Sequence, residues 1–375
     1  MANRTDNPFF ISGYASPEYF CDRKKETEEL LASLENGRNI TLMSPRRLGK
    51  TGLIKHLFHF LGQQGATVIY VDLFPTTCLH DFTLSFANAV LGQLDSNPVK
   101  LLKKVTSFFK ELRPNLSLDP VSGQPKIGLD IASGAEEHTL EQVFHYLREN
   151  AKNCYIALDE FQQIAQYPEK NVEALLRSYI QDLHGVHFIF SGSQSHLLGE
   201  MFLSPKRPFY QSTSEKVIGP IDENSYYLFA QNFFSQKQGR ELSEDVFHQI
   251  YTAYEGYTWY VQMILNRLWE KSSREIDAGL VQECAGDVLN ENEYYYQQLL
   301  QLCTKGQAKL LKAIAKEKKV KGITSGAFVA KYGLTAASSV KSAVANMLDE
   351  EIVYCSDGTY RVYDWFFGQW LASRF

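Results

Sequence analysis

Residues 44–52 read Ser44-Pro45-Arg46-Arg47-Leu48-Gly49-Lys50-Thr51-Gly52. A glycine, a lysine and a hydroxyl in succession suit one kind of chemistry, the grip on a phosphate. Successive backbone N–H groups curl around the oxyanion at a helix N-terminus, the lysine adds a positive charge, and the hydroxyl ligates a small hard cation. The pattern G-x-x-x-x-G-K-[ST] between a strand and a helix is the Walker A loop. Here Ser44 stands where its first glycine falls. Gly49 occupies the position where any side chain would crowd the phosphate. The first position only marks where the strand leaves the sheet, and a small serine serves there. Pro45 removes one donor N–H and leaves those from Arg46 to Thr51. Lys50 is then expected to reach the β- and γ-phosphates of a nucleotide, and Thr51 to ligate Mg²⁺. Arg46 and Arg47 lie beside the phosphates, with side chains read as pointing to solvent.

Such a loop needs an acidic partner at the end of another strand. "NCYIALDEFQQI" (153–164) supplies Asp159 and Glu160 after an apolar run. Asp159 would hold Mg²⁺ through water, and Glu160 would polarise the attacking water as general base. An adjacent Asp-Glu pair points to hydrolysis rather than transfer to a metabolite. "HFIFSGSQS" (187–195) ends a further strand with Ser191 and Ser193, either of which could sense the γ-phosphate or position the water. Small polar residues also end strands with no such task. Arg207 in "SPKRPFY" is a candidate to place positive charge on the transition state; the alternative is a solvated loop arginine.

These residues must be positioned by a sheet. The runs "NITLM", "TVIYVDLF", "CYIAL", "HFIFS" and "EKVIGPI" alternate with helical patterns from about residue 15 to 220, as in an α/β domain with a mainly parallel sheet. Runs one, three and four are nearly continuous in apolar residues, as strands buried on both faces are. Between runs two and three lies an insertion with two helix-like stretches and then "NLSLDPVSGQPKIGLDI" (115–131), whose alternation reads as a β-hairpin. From 222 to 303 the strand signals stop. "DENSYYLFAQNFFSQKQG", "LSEDVFHQIYTAYEG" and "TWYVQMILNRLWEKSS" have helical spacing, and a longer helix is expected from Asp277. Residues 304–375 suggest three helices, a hairpin turning at Asp357-Gly358, and a closing helix. That is the order of a winged helix-turn-helix. The domains expected are thus a core over 1–221, a helical lid over 222–303, and a winged helix over 304–375.

Composition narrows the field. Apolar residues make up 44%, charged residues 22%, and the net charge is −5. This is ordinary for a soluble globular chain and predicts no general polyanion-binding surface. Six cysteines without a CxxC pair argue against a zinc ribbon or a disulfide scaffold. With no signal-type apolar segment and no run long enough to span a bilayer, the expectation is a cytoplasmic protein that does not engage membranes.

Together "YFCDRKKETEELLASLENGRNITLMSPRRLGKT" (19–51), "YIALDEFQQI", "FIFSGSQSHLL", "SPKRPFYQ" and "YRVYDWFFGQWL" (360–371) resemble the STAND-type, AAA-like ATPases with a C-terminal winged helix, often called archaeal-type ATPases and found also in bacteria. The resemblance covers nearly the whole chain. It implies an α/β core of the ASCE P-loop NTPase type, followed by a helical lid and a winged helix-turn-helix, with ATP and Mg²⁺ as ligands. It also implies an extra strand between those bearing Lys50 and Asp159, a slot that "TVIYVDLF" fits, and places Phe20 and Arg23 at the adenine. Where the family carries Gly-x-Pro at a lid helix, this chain has Thr258, flanked by Tyr257 and Trp259. No NKxD-type guanine reader is visible.

The segment 304–375 has eleven Lys and Arg against six Asp and Glu. Yet its expected recognition helix, 335–351, offers Lys341 as its one base and ends in three acids. A base-reading helix presents Arg, Lys, Asn or Gln to the groove. The sequence therefore favours a slow ATPase switch, with nucleotide bound between core and lid and its state relayed to the winged helix. Its partner would be a protein, or another copy joined through lid and winged helix. The alternatives are a DNA-binding regulator with auxiliary nucleotide binding, and a nucleotide-binding scaffold that does not hydrolyse.

Overall fold

In the computed structural model, which describes residues 7–95, 109, 111–118 and 125–375, the run before Ser44 forms β1 (Ile40–Met43), every residue of it buried. Helix α1 (Lys24–Glu35) precedes it and α2 (Lys50–Gln63) follows the phosphate loop. Then come β2 (Thr67–Asp72), α3 (Leu79–Leu94), β3 (Leu112–Leu118), β4 (Pro125–Ile131) and α4 (Glu136–Asn150). β5 (Cys154–Asp159), α5 (Val172–Gln181), β6 (Val186–Gly192), α6 (Ser195–Leu203) and β7 (Ser214–Val217) complete this part. Of the described residues, those within 10–226 together with 257–259 form one compact unit, and 7–9, 227–256 and 260–375 form a second.

The five-stranded sheet of the first unit has the order β2-β5-β6-β1-β7, with every pair parallel. Successive side chains of a strand face opposite sides, and β5 shows it. Cys154, Ile156 and Leu158 join a core built with α3, α4 and α5, whereas Tyr155 and Ala157 join a second core with α1 and α2. Helices thus cover both faces, which is why the strands read as apolar runs. Each large side chain buried this way contributes roughly 1.5–3 kcal/mol.

One expectation is corrected. The strand between those bearing Lys50 and Asp159 is β6, not the "TVIYVDLF" segment, which forms β2 at the sheet edge beside β5. The burial explains the placement. β6 is buried at six of its seven positions, but β2 at two of its six, so β2 suits an edge. In the insertion, β3 and β4 pair antiparallel as a separate two-stranded sheet. The first helix-like stretch there is α3, and the second lies outside the described residues.

The second unit holds the helices α7 (Glu223–Phe233, from Tyr227), α8 (Glu244–Ala253), α9 (Thr258–Glu270, from Tyr260), α10 (Ala278–Glu291) and α11 (Glu293–Leu302). The long helix expected from Asp277 is in fact two, α10 and α11, parted at Asn292; Asp277 caps the first by accepting from Leu280 N–H at 2.7 Å. Phe9 packs among Phe229, Phe233, Phe234 and Trp269 with ring centroids 5.2–6.4 Å away.

Beyond them, α12 (Lys305–Glu317), α13 (Gly326–Lys331), α14 (Ala337–Asp349), β9 (Val353–Ser356), β10 (Thr359–Val362) and α15 (Trp365–Arg374) build a winged helix, with a short β8 (Val320–Lys321) between α12 and α13. Thr304 and Gln307 close a capping box on α12. The wing turns at Asp357 (φ 50°) and Gly358 (φ 70°), both left-handed, as a two-residue type I′ hairpin requires. β8 makes the wing a three-stranded sheet, β8-β10-β9, where the sequence suggested two strands. Among the described residues no helix is long and apolar enough to cross a membrane.

Candidate nucleotide site

The C-terminal ends of the parallel strands collect the polar residues, as open α/β sheets do. From β1 the chain runs through Ser44, fully buried, into a loop with Arg47 (φ 71°) and Gly49 (φ 90°) left-handed. Gly49 is the N-cap of α2, so Lys50 and Thr51 open the helix. Lys50 is buried, and its ammonium donates to the carbonyls of Ser44 (2.8 Å) and Pro45 (3.3 Å). Burial pushes Lys50 below its ordinary pKa, against the pull of the Glu160 and Asp159 charges. A buried ammonium aimed at loop carbonyls is a cation with little water to lose on meeting a phosphate.

β5 brings Asp159 to the same place. Its Oδ2 accepts from Thr51 Oγ1 (2.8 Å) and Tyr70 OH (2.5 Å), and its Oδ1 from Ser191 Oγ and from Glu160 N–H (3.1 Å). Tyr70 comes from β2, two residues before Asp72, which pairs with Asp159 in register. Burial, and then the neighbouring Asp159 charge, raise the Tyr70 phenol well above its usual pKa, so it remains a donor. Burial also raises the Asp72 carboxyl, and the charges of Asp159 and Glu160 add to this.

Glu160 sits in the left-handed region (φ 54°, ψ 42°), costly for a residue with a side chain. What holds it there is the next residue. Phe161 is fully buried, with its ring centroid 4.6 Å from that of Phe190 and 5.3 Å from that of Phe209. The Glu160 carboxylate is fixed as firmly. Its Oε2 accepts from Gln162 Nε2 (2.5 Å), Ser193 Oγ (2.8 Å) and Ser193 N–H (3.2 Å). Arg46 Nε in turn donates to Ser193 Oγ at 3.1 Å. Thr51, Asp159, Glu160 and Arg46 line one open cleft of about 430 Å³, with Asp72 and Lys55 beyond them.

The remaining sequence candidates lie around this centre. Arg47 places its guanidinium 4.4 Å above the Trp259 ring, and its carbonyl accepts from Trp259 N–H (3.0 Å). The Leu48 carbonyl accepts from Arg23 Nη2 (3.3 Å) and Thr258 Oγ1 (3.4 Å). Arg23, buried, also donates to the Gly219 carbonyl (2.7 Å) and pairs with Glu26 (2.7 Å). Its head is therefore occupied in bracing the loop. Phe20 stacks on His56 at 4.0 Å and lies against Gly52, at the start of α2. Arg207 is not brought in: it pairs with Glu173 (3.1 Å) and Glu200 (3.4 Å), and does not line the cleft. The sequence left Ser191 and Ser193 as alternatives, and the structure uses both, one on each acid. Sequence reasoning missed Tyr70 and Gln162. Gln162 follows Glu160 by two, and that short spacing was the one available signal.

Fold and site together define a P-loop ATPase with a C-terminal winged helix. The chain belongs to the family described as "ATPase domain predominantly from Archaea", which matches residues 20–264, and a "probable winged helix domain" matches 294–373. It is similar in structure to a Walker-type ATPase of Pyrococcus abyssi, with a TM-score of 0.64 at 17% identity over 97% of this chain and 99% of that one. It is also similar to the ORC2 protein of Aeropyrum pernix in its ADPNP–ADP complexes, with a TM-score of 0.61 at 15% identity over 99% and 96% of the two chains. Identities this low speak to the fold. No curated protein sequence matches the chain.

Proposed function

We propose that the chain binds ATP with Mg²⁺ in this cleft and hydrolyses it slowly, as a nucleotide-driven switch whose output is carried by the segment ending in the winged helix. The observation that carries hydrolysis is the triple grip of Gln162 and Ser193 on Glu160, beside the Thr51–Asp159 pair. A carboxylate held through one oxygen is oriented to take a proton with the other. Water held by Glu160 would attack the γ-phosphorus. The new P–O bond forms, the bridging bond breaks with its electron pair going to ADP, and the proton of the water passes to Glu160. Lys50 holds the phosphates, and the loop N–H groups orient them.

Thr51 Oγ1 and Asp159 Oδ2 are hard oxygen donors 2.8 Å apart, the kind of pair that Mg²⁺ takes. Thr51 and Asp159 are the residues that would hold the ion; among the described residues there is no cluster of three or more His, Cys, Asp or Glu side chains suited to a metal. When bound it would neutralise charge on the phosphate oxygens of the nucleotide. The nucleotide complexes of the Aeropyrum pernix protein support nucleotide binding by a chain of this fold.

What supports a switch is that Thr258 and Trp259 bond the loop carbonyls and at the same time begin a helix that runs to Glu270. The partner we infer is a protein, because α14 exposes Ser338, Ser339, Ser342 and Asn346, with Lys341 as its one cation. All six cysteines are free, which suits the cytoplasm. Titration of ATP into wild type and Lys50→Ala, with phosphate release followed in wild type and Glu160→Gln, tests the proposal. Binding lost in the first variant and ATP retained uncleaved in the second are expected; equal ATP affinity in Lys50→Ala would sink it.

A further inference from the structure

Arg46 leaves the phosphate loop at its third position and sets its Nε 3.1 Å from Ser193 Oγ, while the same hydroxyl donates to Glu160 at 2.8 Å. One oxygen therefore stands between a guanidinium and the carboxylate assigned to the attacking water. Arg46 lines the cleft together with Thr51, Asp159 and Glu160. Lys50 rests on the carbonyls of Ser44 and Pro45, and Arg46 is the cation that reaches from the loop to the end of β6. The arginine singled out in the sequence for transition-state charge, Arg207, is bound to Glu173 and Glu200 instead.

We propose that Arg46 is the catalytic arginine of this site, supplied by the phosphate loop itself, and that its guanidinium binds the γ-phosphoryl group of ATP and stabilises its charge during transfer to water. The inference rests on the ATPase reading above. As the bond from water to phosphorus forms and the bridging bond to ADP breaks, charge builds on the transferred group and the leaving oxygen. The proton of the water goes to Glu160, and Arg46 keeps its own. A guanidinium can hold Ser193 through Nε and still donate to phosphate oxygens through its other nitrogens. A lysine ammonium is a point charge and cannot span both. Arg46 thereby also ties the position of the γ-phosphate to the hydroxyl that holds Glu160.

The test is calorimetric titration of ATP and of ADP, each with Mg²⁺, into the full chain and into Arg46→Ala and Arg46→Lys, beside single-turnover hydrolysis. Wild type is expected to bind ATP more tightly than ADP. Arg46→Ala should lose that preference, with ADP affinity changed by less than about twofold, and its single-turnover rate should fall about 10³-fold, as loss of an arginine finger does. Arg46→Lys keeps the charge and should recover less than about a tenth of the rate. Should the alanine variant fail to fold, the lysine variant carries the comparison. Wild-type binding with an unchanged preference and rate in the variants would overturn the role of Arg46 alone. A wild type that binds neither nucleotide would overturn the ATPase proposal and this one with it.

Discussion

Gln162 reaches Glu160 across Gly192. Its amide nitrogen donates to Glu160 Oε2 at 2.5 Å, and a Cβ built on Gly192 would stand 2.0 Å from its amide oxygen. The absence of a side chain at the end of β6 is what lets the amide lie there. Gln162 is nearly inaccessible to water, so its position is set by packing rather than by solvent.

Gln162→Ala should therefore lower kcat for phosphate release by about 10- to 100-fold, a part of what a positioned general base contributes. KM for ATP should stay within about threefold. Gly192→Ala should reproduce the effect by displacing the amide. Steady-state kinetics of both variants check this, and a change confined to KM would contradict the positioning role.

Tyr70→Phe removes one of the donors on Asp159 Oδ2 and leaves Thr51 as the other. Groups that orient a metal ligand typically carry 10–100-fold in metal affinity. The Mg²⁺ concentration giving half-maximal ATP binding is expected to rise by about tenfold. Fluorescence titration of Mg²⁺ at fixed ATP measures it.

Arg23→Ala deserts the carbonyls of Leu48 and Gly219. Losing hydrogen bonds from a buried charged donor should cost on the order of 2–3 kcal/mol, seen as a lower melting temperature. Because Arg23 braces the loop, ATP affinity should fall with GTP affinity, leaving their ratio unchanged. A selective loss of adenine preference would return Arg23 to the base.

His56 stacks on Phe20 and shares a hydrogen bond with Tyr14 OH at 3.0 Å, and burial lowers its pKa to about 4. With a folded value below the unfolded one, the unfolded chain binds more protons between pH 4 and 6.5. Stability is then fully present above pH 6.5 and is lost as pH falls toward 4, by on the order of 2 kcal/mol from this group. His56→Phe should flatten that acid limb in denaturant titrations at pH 7 and 4.5.

The strands of the core were legible because each fills two apolar faces, and the phosphate loop because its residues are contiguous. The Asp159–Glu160 pair was legible for the same local reason. Sheet order was not, since parallel strands joined by helices can exchange neighbours without altering the hydrophobic pattern; hence β6 fills the slot between β5 and β1 that "TVIYVDLF" also fits by pattern. Tyr70 and Gln162 escaped because their roles come from register and from the gap at Gly192, neither of which leaves a periodic trace. The sequence points Arg46 to solvent, and only the proximity of β6 gives it Ser193. The two-residue β8 is too short to show any alternation.

The order β2-β5-β6-β1-β7 also bears on how the chain folds. β1 is the first of the sheet's five strands in chain order, yet its neighbours in the sheet are β6 and β7, whose first residues are Val186 and Ser214. A ribosome-bound chain would thus carry this largely apolar strand without its sheet neighbours while some 140 further residues are synthesised, about ten seconds or more at ordinary elongation rates. Contacts so distant in sequence slow the search for the native topology. The strand that launches the phosphate loop waits for partners far along the chain, and the cleft built on β1, β5 and β6 can close only after β6 is made.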